Sequence, residues 1–468
     1  MVKNMAALLY YTIFISLCQG KKLPSQNLPV FFLDSSLKLW YNINYTMRRK
    51  VLYLMLIILL AGCSKRDDKV TEVKFWHVMG GPLGKALNEL IDEFNEENPN
   101  IHITSVSMGN YQALTQKIMA SILARNPPTI AQVYESWTTS LMQADAIQPI
   151  EDFIRGEEGL KEEEISDIFP VFIKDNTWNG RFITAPFNKS VVAYFYNMDM
   201  FEKEGIEKFP DTWDEFLRVA ERLTKDIDGD GEPDIWGTAF PVNAGMFAQI
   251  LHAKGGKILS PDEKQPDFQN KEGIDALRFI YDLIYTHKVA YLTTGYEHQD
   301  DFIAGNVAMI SGTSVSYSFI KEAKPSFRIG VAPPPGDKEK VVFIMGTNVT
   351  IFRNSGEKEK EAAWKFIKWF ISKEIQARWV IKTGYVPVRK STLELPEIKQ
   401  HLQNVPGLKD VWASLDYALI EPRTPGWLVG RRLLSDVGIE PVLRGGMAIE
   451  ESLARCAKEV ERALALQY

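Results

Sequence analysis

A chain of 468 residues is longer than one hydrophobic core usually supports, and 45% hydrophobic residues with 11% aromatics supply material for two packed domains, which excludes a disordered polypeptide. Its 54 basic residues against 60 acidic ones leave a formal net charge of -6 with no basic stripe, which argues against a nucleic acid partner. Three cysteines (Cys18, Cys63, Cys456) and 6 scattered histidines have the spacing of neither a disulfide framework nor a histidine metal site.

In chain order, Met47-Arg48-Arg49-Lys50, the apolar run Val51 to Leu60 and the ending Leu60-Ala61-Gly62-Cys63 resemble a lipoprotein signal peptide. The run is shorter than the roughly 20 residues a spanning helix needs. The resemblance implies that residues 47–62 are a cleaved signal, that Cys63 is lipidated, and that residues 63–69 tether the protein to the membrane. Such a signal normally begins a chain, so Met47 is expected to be the true start and residues 1–46 an upstream extension outside the fold.

From Val70 to Trp76 polar and apolar residues alternate as in a strand, and Gly80-Gly81-Pro82 opens a helix whose Leu83, Leu87, Leu90, Ile91 and Phe94 recur at helical spacing. Asn98-Pro99 ends it, and Ile101 to Val106 reads as the next strand. This β-α-β unit predicts parallel sheets flanked by helices, with ligands bound beyond the carboxyl ends of strands. The alternation continues with a helix over Tyr111 to Arg125 and strands over Thr129 to Val133 and Val191 to Tyr196. Further helices are expected at Trp213 to Leu223, Gly273 to Tyr285 and Lys360 to Phe370, and no floppy linker divides the chain.

Between the first two of these later helices, Asp226, Asp228, Asp230 and Asp234 alternate around glycines like the first nine places of an EF-hand calcium loop. The twelfth place is Gly237 rather than the closing glutamate, so weak calcium binding or none is expected, a polar turn being the alternative. No other cofactor is expected.

Phe75-Trp76-His77, Asn95-Glu96-Glu97-Asn98-Pro99, Pro127-Pro128-Thr129-Ile130, Tyr194-Phe195-Tyr196-Asn197, Thr212-Trp213-Asp214-Glu215-Phe216 and the run Asp301 to Met309 occur in this order. As an ordered set they resemble the extracellular solute-binding family of sugar-uptake ABC transporters, from about residue 70 to the carboxyl end. The resemblance implies an α/β, two-lobed periplasmic-binding-protein fold of the second topological type, with hinge crossings and a ligand cleft between lobes. It places residues 70–188 plus 313–378 in one lobe and 189–312 plus 379–468 in the other. It further implies a monomeric receptor, not an enzyme, held on the outer side of the cytoplasmic membrane or in the periplasm, with a small polar ligand and the transmembrane permease subunits as partners.

A closer likeness, to the members that bind sn-glycerol 3-phosphate, runs through Phe75-Trp76-His77, Leu83-Gly84-Lys85, Gly109-Asn110-Tyr111, Gln132-Val133-Tyr134-Glu135 and Thr383-Gly384-Tyr385-Val386-Pro387. By it Tyr111, Glu135, Ser190 and Tyr385 match ligand contacts, Thr313 takes a serine position, Arg432 an arginine position, and a glycine contact falls at Gly346 or Thr347. The chemistry agrees: Arg432 could hold a phosphate with hydroxyls of Ser190, Thr313 and Tyr385 beside it, and Glu135 with Tyr111 or Trp76 could hold a polyol. Arg431 is read as a solvated neighbour. Glycerol 3-phosphate or a related glycerophosphodiester is the expected ligand. Trp427 and Gly430 replace polar residues of the likeness, which admits a larger diester or, as the alternative, a neutral sugar or oligosaccharide stacked on the tryptophan. A secreted hydrolase using Glu135 with a second carboxylate is the remote reading, since no spacing supplies that partner.

Overall fold

The structure is a computed structural model and describes residues 70–465. Expectations about Cys63, the signal and the tether fall outside the described residues. Thr71–His77 and Ile101–Ser107 run parallel in register, Thr71 facing Ile101 and His77 facing Ser107. The helix between them, Gly81–Glu97, has proline in its first turn and buries Leu87, Leu90, Ile91 and Phe94. Asn98 closes it by donating from Nδ2 to the Phe94 carbonyl at 2.8 Å. Truncating a residue as enclosed as Phe94 costs about 3–5 kcal/mol, so this face fixes how the helix sits on the sheet. Ile130–Val133 joins the first strand on its other side, and Asn348–Phe352 pairs antiparallel with it.

A second sheet has the order Ala290–Thr293, Trp236–Pro241, Val307–Thr313, Ser190–Asn197, Val342–Met345, Ala418–Leu419, with Ile329–Ala332 also pairing to Ser190–Asn197. Ser190–Asn197 runs antiparallel to Val307–Thr313, Ile329–Ala332 and Val342–Met345. Below it Tyr194, Phe201, Phe209, Trp213 and Phe216 form an aromatic core. The helix Trp213–Leu223 is fixed at its start by a capping box between Thr212 and Glu215.

The sheets divide the chain differently from the expected lobe boundaries. Residues 313–345 stay with the second sheet, because Ile344 pairs with Val191 and Met345 with Ser190. The return crossing is at residues 346–348, not at 313. The helix Lys373–Thr383 packs on the first-sheet side, where Arg378 and Lys382 pair with Glu93 and Glu89 of the first helix, and its last carbonyl, that of Thr383, accepts from the Ser318 hydroxyl of the other side at 3.2 Å. That side continues past residue 378: Phe169 donates its N–H to the Val388 carbonyl at 3.1 Å, and the second-sheet strand residue Val331 donates to the Pro406 carbonyl at 3.0 Å.

Candidate functional site

Between the two sheets lies a cavity of about 1010 Å³. On the first-lobe side it meets three tyrosines placed by local structure. Tyr111 begins a helix capped by Asn110, whose side chain accepts from the Ala113 N–H at 2.9 Å. Tyr134 follows the strand Ile130–Val133, its ring 4.8 Å from that of Tyr111 and edge-on to Trp137 at 5.1 Å. Tyr385 follows Gly384, the left-handed cap of its helix at φ 77, and stacks on Trp379 at 5.4 Å. Burial raises the phenol pKa of Tyr111, Tyr134 and Tyr385, so all three remain neutral hydroxyls.

The second lobe presents the alternate residues Ser190, Val192 and Tyr194 of one strand and Ser311 and Thr313 of its neighbour. Thr313 pairs with Val192 and Ser311 with Tyr194, so these side chains share one face of the sheet. Asn243 and Met246 at the start of a helix, the loop 257–263, the segment Ile420–Pro422, Trp427 and Arg431 complete the wall. Arg431 Nη1 lies 3.0 Å from Glu421 Oε2, and this carboxylate holds the guanidinium pKa above its ordinary value against the effect of burial. His252, also on the wall, is kept neutral by burial, its pKa lowered to about 4.

Within the wall, buried Asn188 joins the two crossings. Its Nδ2 donates to the Tyr385 hydroxyl at 2.9 Å, and its Oδ1 accepts from Gln132 Nε2 at 3.0 Å and from the Thr347 N–H at 3.2 Å. Next to it Lys189 is fully enclosed, 2.7 Å from Asp175 and 3.1 Å from Glu135. Burial opposes its charge, but the two carboxylates outweigh burial and raise its pKa. Glu135 is pushed up to about 8, first by burial and then by Asp175.

Of the residues expected to contact ligand, Tyr111, Ser190, Thr313, Gly346 and Tyr385 come together on the cavity wall. The others do not. Trp76 is half-buried, packed against the cluster of Met108, Leu114, Val133 and Trp137, and is not among the lining residues. Glu135 points into the ion network, where Lys189 and Asn348 occupy its Oε1. Thr347 is buried and spends its N–H and hydroxyl on Asn188. Arg432 is exposed. The helix explains why: Trp427, Gly430 and Leu434 are buried at helical spacing, Arg431 sits one turn after Trp427, and Arg432 sits one turn after the exposed Leu428. The guanidinium in the cavity is therefore that of Arg431, the residue read as solvated. Asn188, Tyr134 and Glu421 also escape the sequence reading as wall or support, whereas Trp427 lines the cavity, where that reading placed it.

Asp226, Asp228 and Asp234 converge in an exposed turn of the second lobe, with carboxylate oxygens within 4.8 Å of one another. Asp230 stands apart from them and accepts from the Glu232 N–H at 2.9 Å. The converging carboxylates already close the turn, Asp226 accepting from Gly229 at 2.7 Å and Asp234 from Ile227 at 2.6 Å. No helix among the described residues is long and apolar enough to cross a membrane.

Comparison with known proteins gives consistent results. Residues 89–406 match the model of a family described as bacterial extracellular solute-binding protein. The sn-glycerol-3-phosphate-binding periplasmic protein UgpB of Escherichia coli K12 is 26% identical over 397 residues, covering 82% of this chain and 90% of that protein. Among solved structures, UgpB from Mycobacterium tuberculosis in complex with glycerophosphocholine superposes with a TM-score of 0.73 at 20% identity, covering 85% of this chain and 99% of the other. The sugar-binding protein MalE of Xanthomonas citri does so with a TM-score of 0.73 at 23% identity, covering 85% and 98%. At these identities the structural likeness establishes the two-lobed fold.

Proposed function

The chain belongs to the bacterial extracellular solute-binding protein family, and from that premise we propose that it captures a glycerophosphodiester, with glycerol 3-phosphate as a smaller related ligand, and delivers it to a membrane permease. Members of this family are binding components of ABC importers, not enzymes. Glu135 and Asp175 are both buried against the ammonium of Lys189, which leaves a hydrolytic role no support from this pair. Lipidation of Cys63 and a monomeric state are part of the same proposal.

One observation carries the ligand reading: Arg431 faces the cavity beside Tyr134, Trp427 and Glu421. A phosphodiester has a single negative charge, which one guanidinium can meet through the donors that do not reach Glu421. Hydroxyls of Ser190, Ser311, Thr313 and Tyr385 suit the glycerol and phosphate oxygens. The aromatic rings and Glu421 suit a second head group, polyol or cationic. A cavity of about 1010 Å³ also exceeds what glycerol 3-phosphate alone fills. A neutral oligosaccharide is the second reading, favoured by the fact that Glu421 already neutralises Arg431.

Calorimetric titration with glycerophosphocholine, glycerol 3-phosphate and maltotriose tests this. The diester is expected to bind most tightly. Heat from maltotriose with none from either phosphate ester would establish the sugar reading instead.

A further inference from the structure

The segment between the strand Ala418–Leu419 and the helix Trp427–Leu433 forms part of the cavity wall through Ile420, Glu421 and Pro422, and the residue that follows, Arg423, is held from both lobes. On the second-lobe side, Glu263 accepts the N–H of Arg423 at 2.7 Å and of Thr424 at 2.8 Å. Glu263 lies in a tight turn with φ 57, closed by the Ser260 N–H on the Gln265 carbonyl at 2.8 Å. On the first-lobe side, Thr139 donates its hydroxyl to the Arg423 carbonyl at 2.8 Å. The guanidinium donates to the carbonyls of Lys174 and Thr177, the latter at 2.6 Å, and lies 4.6 Å from the centre of the Trp178 ring. Trp178 Nε1 in turn donates to Thr139 Oγ1 at 3.1 Å.

We propose that Arg423 is a reversible pin between the lobes, locking the Ile420–Pro422 wall and the 257–263 loop against the first lobe in the arrangement described. Carbonyl groups at the end of a short helix and an aromatic face both favour a cation. Neither is a carboxylate, so water can replace them when the lobes part, and the guanidinium Nε has no partner to lose among the described residues. The strained turn at Glu263 is stabilised by the two backbone donors it receives from the pinned segment, so release on one side loosens the other. Every contact described belongs to the protein itself, so the pin acts on this cavity whatever molecule fills it.

Hydrogen exchange read by mass spectrometry on the full chain without ligand tests the pin by mutating one lobe and observing the other. Trp178→Leu is made in the first lobe, and peptides spanning residues 257–265 of the second are expected to exchange at least about tenfold faster. Glu263→Ala touches only the second lobe, and peptides spanning 174–182 are expected to respond in the same way. Arg423→Ala should accelerate both segments, with the strands Thr71–His77 and Ser190–Asn197 unchanged. If Arg423→Ala loosens those strands as well, the two cross-lobe variants decide. Acceleration confined to the mutated lobe in both of them overturns the proposal.

Discussion

Asn188 and Tyr385, 197 residues apart in the chain, meet through a 2.9 Å hydrogen bond from the side-chain amide to the phenol oxygen. The same amide carbonyl accepts from Gln132 and Thr347, so one buried side chain positions a cavity tyrosine against both crossings between the lobes. Asn188→Ala leaves these buried groups unpaired at a cost of about 1–3 kcal/mol each, and a total loss of roughly 2–5 kcal/mol is expected in urea denaturation. Tyr385→Phe, which removes one hydroxyl, should cost nearer about 1 kcal/mol. An alanine variant as stable as wild type would show that Asn188 is not the support described.

At the second crossing Gly346 has φ 95, and a Cβ there would stand 1.9 Å from the Asn188 carbonyl oxygen. Backbone meets backbone, so no rotamer change relieves the clash. Gly346→Ala is expected to destabilise the protein by at least about 2 kcal/mol. Gly80, at φ -133 with open space where a Cβ would stand, serves as the control, and Gly80→Ala should stay within about 0.5 kcal/mol of wild type. Equal melting temperatures for the two variants would contradict this reading.

The opening β-α-β unit was legible because its signals are local: alternation, helical spacing and the Asn98-Pro99 stop all lie within one stretch of chain. The ordered motifs likewise pointed to the family and the two-lobed fold. The return crossing was not legible, since Val342–Met345 is an apolar strand that could join either sheet, and only its distant pairing with Ser190 and Val191 decides. Tyr111, Ser190 and Tyr385 were found as wall residues through motif likeness. Arg431 was missed in favour of Arg432 because a motif match tolerates a slip of one residue, whereas a helix turns by about 100° per residue. Glu135 misled for another reason: Asp175 and Lys189, which enclose it, lie far away in sequence and carry no spacing rule.

The enclosed triad predicts a pH dependence of stability. Glu135 is fully enclosed, with Lys189 at 3.1 Å, and burial together with the neighbouring Asp175 favours its neutral form. Its folded-state pKa, raised by burial and then by Asp175 from 4.5 to about 8, means that the folded protein binds more protons than the unfolded chain between those values. Stability from this group is therefore fully present below the lower value and is lost as pH rises through the upper one. Glu135→Gln keeps a neutral, hydrogen-bonding side chain and removes the dependence. Relative to wild type, the glutamine variant should gain on the order of 2–4 kcal/mol between about pH 5 and about pH 8.5. Parallel stability curves for the two proteins would mean that Glu135 is ionised throughout.

The two adjacent arginines give the most discriminating test of the ligand. Arg431 faces the cavity and pairs with Glu421, whereas Arg432, about 100° further round the same helix, is exposed. If a phosphodiester occupies the cavity, Arg431→Ala removes its charge-assisted donors and also leaves Glu421 facing the anion without a partner. Loss of one member of a buried charge pair costs about 2–5 kcal/mol, so glycerophosphocholine should bind at least about tenfold more weakly, at roughly 1.4 kcal/mol per decade. Arg431→Ala with Glu421→Gln should recover part of that loss by removing the repulsion between carboxylate and phosphate. Arg432→Ala should change affinity by less than about fivefold, because an exposed charge contributes about 0–1 kcal/mol. Titration calorimetry on the three variants distinguishes the outcomes: equal losses at both arginines would mean that net charge rather than the cavity governs binding, and a larger loss at Arg432 would return the anion site to the position first expected from the motif.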